Sequence, residues 1–273
     1  AGDADTIGQA CFDVHVHVFE VDAPFELARF DFFLDGAQAV EHQRDPRPHT
    51  ATFLEAAREA GYPVTAPNLP EGQGFSQTMV SQHRGARAST ADAYLRPAKG
   101  RRNLAVVTNA LVRRVTFEGS VDGLSGDAPR ATGVYVEIDG VTRQATAGRE
   151  VILAGGAVNT PQLLMLSGIG PAAHLAEHGI PVIVDAPEVG ANLQDHLVAG
   201  LAPEAQGGTL FTAESVGQLV RYLGSRTGML TSNVGEACGF LRTDVADRAG
   251  MAKGLPDIEL IFAPVPYVGE GLI

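Results

Sequence analysis

Hydrophobic and polar positions alternate with two different periods along this chain, and the changes of period mark its elements. FDVHVHVF near the N-terminus alternates as a strand does, and PFELARFDFFLDGAQAV reads as a helix. HQRDPRPH follows as a linker. From Thr50, TATFLEAAREAG spaces its apolar residues as a helix, with Thr50 as N-cap and Gly61 then Pro63 as the stop. VTAPNLPEGQG is loop. Ser89, followed three residues later by Asp92, opens the short helix STADAYLRP as a variant capping box. Strand-like runs follow: NLAVVTN, LVRRVTFE, ATGVYVEI and VTRQATA, with Asp139-Gly140 as the hairpin turn between the last two. REVILAGG reads as a short buried strand ending in glycine. TPQLLML and PAAHLAEHG read as two short helices, the second running from Pro171 to Gly179. PVIVDAP is a strand, TAESVGQLVRYLG a helix, and GEACGFLRT and DIELIFAP are strands. The mixture predicts an α/β or α+β fold with substantial antiparallel sheet.

Composition narrows what such a fold can be for. With 273 residues, 45% of them hydrophobic, the chain can build one large domain or two smaller ones. A formal net charge of −12 argues against nucleic acid as the main partner and gives no attraction to an anionic membrane. Two cysteines far apart, Cys11 and Cys238, imply no disulfide framework and suit a reducing compartment. No run is long enough to span a membrane, and no secretory leader is visible, so a soluble, cytoplasmic protein is expected. The first residue is not Met, a hint that the chain is not a whole gene product.

The densest punctuation lies in GAVNTPQLLMLSGIG, Gly156 to Gly170. A strand ending in Ala154, Gly155 and Gly156 lets a ligand or another backbone come close, and amides at a glycine turn suit a nucleotide's ribose or phosphate. The same spacing also serves packing alone. Gly168-Ile169-Gly170-Pro171-Ala172-Ala173 mimics a dinucleotide-binding turn, but it follows a helix rather than a strand, which rejects that reading. His15 and His17 share one face of a strand behind Asp13, where two imidazoles can hold one metal ion. That H-x-H resembles the first strand of metal-dependent amidohydrolases, yet such a site needs further ligands on later strands. His174 and His178, four apart on a helix, could also bind a metal, but they read more simply as a solvated pair on a surface helix. His83 stands beside Arg84 and Arg87 in a basic loop that reads as solvated, and Cys238 reads as core packing.

GAVNTPQLLMLSGIG resembles the second signature of the glucose–methanol–choline (GMC) oxidoreductases at each constrained position: Gly156, Ala157, Thr160, Pro161, Leu163, Leu164, Ser167, Gly168 and Gly170. PEVGANLQDHL, RGARASTADAYLRPA, NLAVVTNALVRRVTFE, LTSNVGEACGFLRT and LPDIELIFAPVP are similar to further segments of the family, in the right order. The resemblance covers about Thr50 to Ile273. It implies a partial FAD-binding layer joined to a mostly antiparallel substrate-domain sheet. The implied division is an unassigned segment 1–49, cap elements 50–98, part of an FAD-binding domain 99–195 and part of a substrate-binding domain 196–273. It implies FAD as cofactor, held by Val112 through its backbone near the adenine and by Ala154, Gly155 and Gly156 along the ribose. It implies oxidation of a small-molecule alcohol by hydride transfer to flavin, and it leaves room for a homo-oligomer. Two departures stand out. The G-x-G-x-x-G turn of the family is absent, and the family's catalytic histidine belongs to a C-terminal segment that this chain does not match, so no catalytic residue is assigned and the chain reads as the middle of an enzyme. A third departure bears on substrate. Val198 stands where choline-oxidising members carry a glutamate, and the chain has no Trp for a cation–π cage, so an uncharged alcohol is expected. The alternatives are a non-catalytic truncated product and a metal hydrolase led by His15 and His17.

Overall fold

The computed structural model describes residues 38–66, 72–119, 128–204, 210, 213, 215–265, 267–268 and 271–272. The FDVHVHVF strand, His15, His17 and Cys11 lie outside these residues. In chain order the elements used below are β1 (Glu41–His42), α1 (Pro48–Glu59), β2 (Gly74–Gln77), β3 (Met79–Val80), β4 (Ala110–Glu118), β5 (Arg130–Ile138), β6 (Val141–Thr146), α2 (Gly156–Leu166), β7 (Ile169–Gly170), α3 (Ala172–Glu177), β8 (Val184–Asp185), α4 (Val216–Ser225), β9 (Ala237–Leu241), α5 (Asp244–Arg248) and β10 (Ile258–Phe262). The chain divides into two units, one comprising Lys99–Leu197, the other holding the described residues before and after it.

The first unit is an antiparallel meander, β4-β5-β6, with a helix on one face. Alternation does the work. Val115 faces Val134 across the ladder, and both are buried with Val112 and with Leu163 of α2. Phe117, Ala131, Val136, Ala145, Val151 and Leu153 close around them. On the opposite face Arg114 lies across from Tyr135, its guanidinium carbon 4.9 Å from the ring centre. The strands LVRRVTFE, ATGVYVEI and VTRQATA are borne out within a residue or two, but NLAVVTN is not a strand and pairing starts only at Ala110. REVILAGG also differs. Residues 151–154 form no ladder among the described residues, and Ile152 is 47% exposed, because a strand exists only where a neighbour accepts its hydrogen bonds. Of PVIVDAP only β8 pairs, in parallel with β7.

The second unit holds an antiparallel sheet in the order β10-β9-β2. α1 covers one face. Phe53 of α1 stacks on Phe262 at 4.9 Å and meets Phe75 at 5.6 Å. The other face carries the cross-strand row Ser76, Cys238 and Ile261. Cys238 is half-buried there, 3.5 Å from the Ser76 hydroxyl, rather than a core residue. The linker HQRDPRPH proves to be knitted in. Its first residue, His42, belongs to β1, which pairs with β3, and Asp45 accepts from Arg221 of α4 and from the Gly228 amide, both at 2.8 Å. α1 begins at Pro48, two residues before the expected cap, since proline suits the first helical position. Thr50 therefore sits in the first turn, and its hydroxyl donates to buried Glu236 at 2.5 Å. The basic loop around His83 is a tight hairpin, Gln82–His83 against Ala86–Arg87, whose turn amides at Arg84 and Gly85 donate to Glu41. Ser89 and Asp92 form the expected reciprocal pair: Asp92 accepts from the Ser89 hydroxyl at 2.7 Å, and the Asp92 amide donates back at 3.3 Å.

Candidate cofactor-binding site

The residues expected to hold a cofactor all fall in the first unit. Val112 lies on β4 immediately before a bulge between Val112 and Arg114. Its side chain is buried in one cluster with Leu163, so any contact it makes with a ligand must come through its backbone. Leu163 belongs to α2, and this contact draws the helix onto the meander.

The N-terminus of α2 is the chemically open end. The helix starts at Gly156, four residues before the expected Thr160-Pro161 start. Thr160 does not open the helix: its Oγ1 accepts from the Gly155 amide at 2.9 Å and fixes the turn. No side chain caps the first amides of α2, and no acidic residue occupies its first turn. These amides carry the positive end of the helix dipole. Gly156 has φ +82°, a left-handed conformation that L side chains rarely adopt, and a Cβ there would meet nothing within 4 Å. Ala154 and Gly156 are both exposed. The turn is therefore shallow, uncapped and free of negative charge, which fits the hydroxyls of a ribose or the polar edge of an adenine.

The C-terminal end of the same helix is occupied with packing. Ser167 Oγ donates to the Leu163 carbonyl at 2.6 Å and accepts from the Val115 amide at 2.8 Å, which ties α2 to the outer edge of β4. Gly168, at φ +86°, lies so close to the next segment that a Cβ would stand 2.6 Å from the Pro181 carbonyl oxygen. The signature thus does two jobs: its first glycine leaves space and its later ones remove it.

His196 is exposed, and its amide donates to its neighbour Asp195 at 2.7 Å. Val198 is 70% exposed. Among the described residues, no group of three or more His, Cys, Asp or Glu is placed to hold a metal ion. Sequence reasoning missed Glu236 as an organising residue. Its carboxyl group accepts from Gln43 Nε2, the Arg47 amide, Thr50 Oγ1 and Ser232 Oγ, and it is fully buried. The only signal was a lone acid inside an apolar run, GEACGF.

Residues 25–198 match the GMC oxidoreductase family, beginning well before Thr50, where motif reading starts the likeness. An uncharacterised GMC-type oxidoreductase of Mycobacterium tuberculosis is 51% identical over 243 residues, 89% of this chain and 43% of that protein. Mouse mitochondrial choline dehydrogenase is 40% identical over 87% of this chain and 38% of its own length. Among solved structures, pyridoxine 4-oxidase from Mesorbium loti superposes with a TM-score of 0.64 at 26% identity, covering 86% of this chain and 41% of that one. A formate oxidase does so with a TM-score of 0.69 at 24% identity, covering 85% and 45%. The chain belongs to the GMC oxidoreductases, a family of FAD-binding flavoproteins. It spans less than half the length of the curated relatives it matches.

Proposed function

We propose that this chain contributes the cofactor-side and substrate-side framework of an FAD-dependent enzyme oxidising an uncharged alcohol to an aldehyde or ketone. The observation that carries the reading is the uncapped glycine turn at the start of α2, held by Thr160 and set against the meander by Leu163. Ala154, Gly155 and Gly156 lie along the ribose in this reading, and the Val112 backbone meets the adenine. FAD, when bound, supplies the two-electron acceptor for the alcohol's hydride. The chain's own part is to orient the cofactor and to exclude charge from the alcohol's surroundings. Val198, in place of a glutamate, supports a neutral substrate. No residue here is assigned as the base that takes the hydroxyl proton. We place the protein in the cytoplasm on its cysteine content, with no helix among the described residues long and apolar enough to cross a membrane.

A second reading, a product that is not catalytic by itself, is favoured by one observation. Ile152, Val158 on α2 and Leu166 at its end are exposed by 47%, 67% and 46%. This is apolar surface of the kind a partner layer covers. An FAD titration of the purified chain, followed by flavin fluorescence quenching, separates the two. Saturable binding near one flavin per chain is expected from the first reading, and alcohol turnover is then the next measurement. Absence of binding rejects it in favour of the second.

A further inference from the structure

α3 is a short helix held from below. Leu175 is fully buried, and the Ala172 amide donates to Asp185 at 3.0 Å. Its outer side carries His174 and His178, one turn apart and both exposed. Their ring centres stand 4.7 Å apart with the planes at 76°. With metal–nitrogen bonds of about 2.0–2.1 Å, a ring centre lies about 3.2 Å from the ion, so two imidazoles at adjacent coordination positions have centres about 4.5–5.2 Å apart. The observed separation falls inside that interval. Both side chains face solvent, so each ring is free to turn one nitrogen toward the shared point.

We propose that His174 and His178 chelate one divalent transition-metal ion, each through one imidazole nitrogen. Neutral imidazole suits borderline ions, in the order Cu²⁺ above Ni²⁺ and Zn²⁺, and not the oxygen-seeking Ca²⁺ or Mg²⁺. His178 caps the C-terminus of α3, where the carbonyl ends of the helix favour a cation. No third His, Cys, Asp or Glu converges on the pair among the described residues, so water fills the remaining positions and the ion exchanges readily. The bound ion bridges the last turn of a six-residue helix that is too short to persist by itself. Because it binds the folded chain, it raises the melting temperature by mass action.

Cu²⁺ titrated into the full chain, followed by calorimetry and electron paramagnetic resonance, tests this. One ion per chain is expected, with two equatorial nitrogens in the spectrum and a rise in melting temperature. His174→Ala and His178→Ala should each weaken binding at least tenfold and abolish the thermal shift. His83→Ala, on the exposed hairpin of the other unit, should change neither. Melting without metal shows that each variant folds, as expected for surface positions. Binding of equal strength in both α3 variants, or a spectrum with a single nitrogen, overturns the proposal. The outcome is independent of whether the chain binds FAD.

Discussion

The two units are held at their centres by opposite means. The first gathers Val112, Val115, Val134 and Leu163 into a dry apolar cluster. The second gathers Gln43, Arg47, Thr50 and Ser232 around the buried carboxyl group of Glu236. An apolar cluster is non-directional, so it tolerates small adjustments and is stabilised roughly in proportion to the area removed from water. A buried carboxyl group is directional. Each oxygen must be met by donors at hydrogen-bond distance, and here two of them, Arg47 and Thr50, belong to the first turn of α1 or its cap. The contrast teaches that sequence-distant segments can be fixed with ångström precision by one polar residue, where an apolar one would only attract them.

Substitutions in the two centres should break this contrast in different ways. The largest effect is expected at Glu236. Replacing it by Ala strands three side-chain donors and one amide in the interior and should destabilise by about 4 kcal/mol. Urea unfolding would show it, and the 41–50 segment should lose amide-exchange protection before the meander does. Loss of stability with that segment still protected would show that the hub is not what holds it. Leu163→Ala should come next, at about 3 kcal/mol, by removing side-chain contacts and leaving a cavity over Val115 and Val134. It should also loosen α2 against β4, so a variant with unaltered α2 protection would count against that helix being held by packing.

The smallest effect concerns Asp257. The Thr243 hydroxyl and amide donate to its carboxyl group at 2.6 and 2.7 Å and hold it below the usual carboxylate range, with a lesser pull from Arg242. The folded state thus favours the ionised form more than the unfolded chain does. The stabilisation is present above the unfolded value, about pH 4, and disappears as pH falls through the lowered folded value. Wild type should therefore exceed Asp257→Asn in stability near neutrality, with the gap closing in acid. A gap that is the same at pH 6 and pH 3 would contradict this account.

Most of the first unit's meander was legible along the chain. β4, β5 and β6 follow from alternation and from the Asp139-Gly140 turn, which are local properties. The glycines of GAVNTPQLLMLSGIG were legible as special positions, but their separate tasks were not. Open space at Gly156 and close approach at Gly168 differ only in what lies opposite. α1 starts two residues before Thr50, which resembles a cap in sequence while its hydroxyl is drawn to Glu236, 186 residues away.

By itself, the order of residues determined the period of each strand and helix, the hairpin turn, the capping pair Ser89–Asp92 and the family signature, since each depends on neighbours within a few positions. Only the tertiary structure decided that HQRDPRPH is an anchor rather than a linker, that residues 151–154 stay unpaired among the described residues, and that the rings of His174 and His178 stand 4.7 Å apart. The physical reason is range. Propensity and periodicity act over one or two turns of chain, whereas hydrogen-bond partners and packing surfaces arrive from any distance along it and reveal themselves only in space.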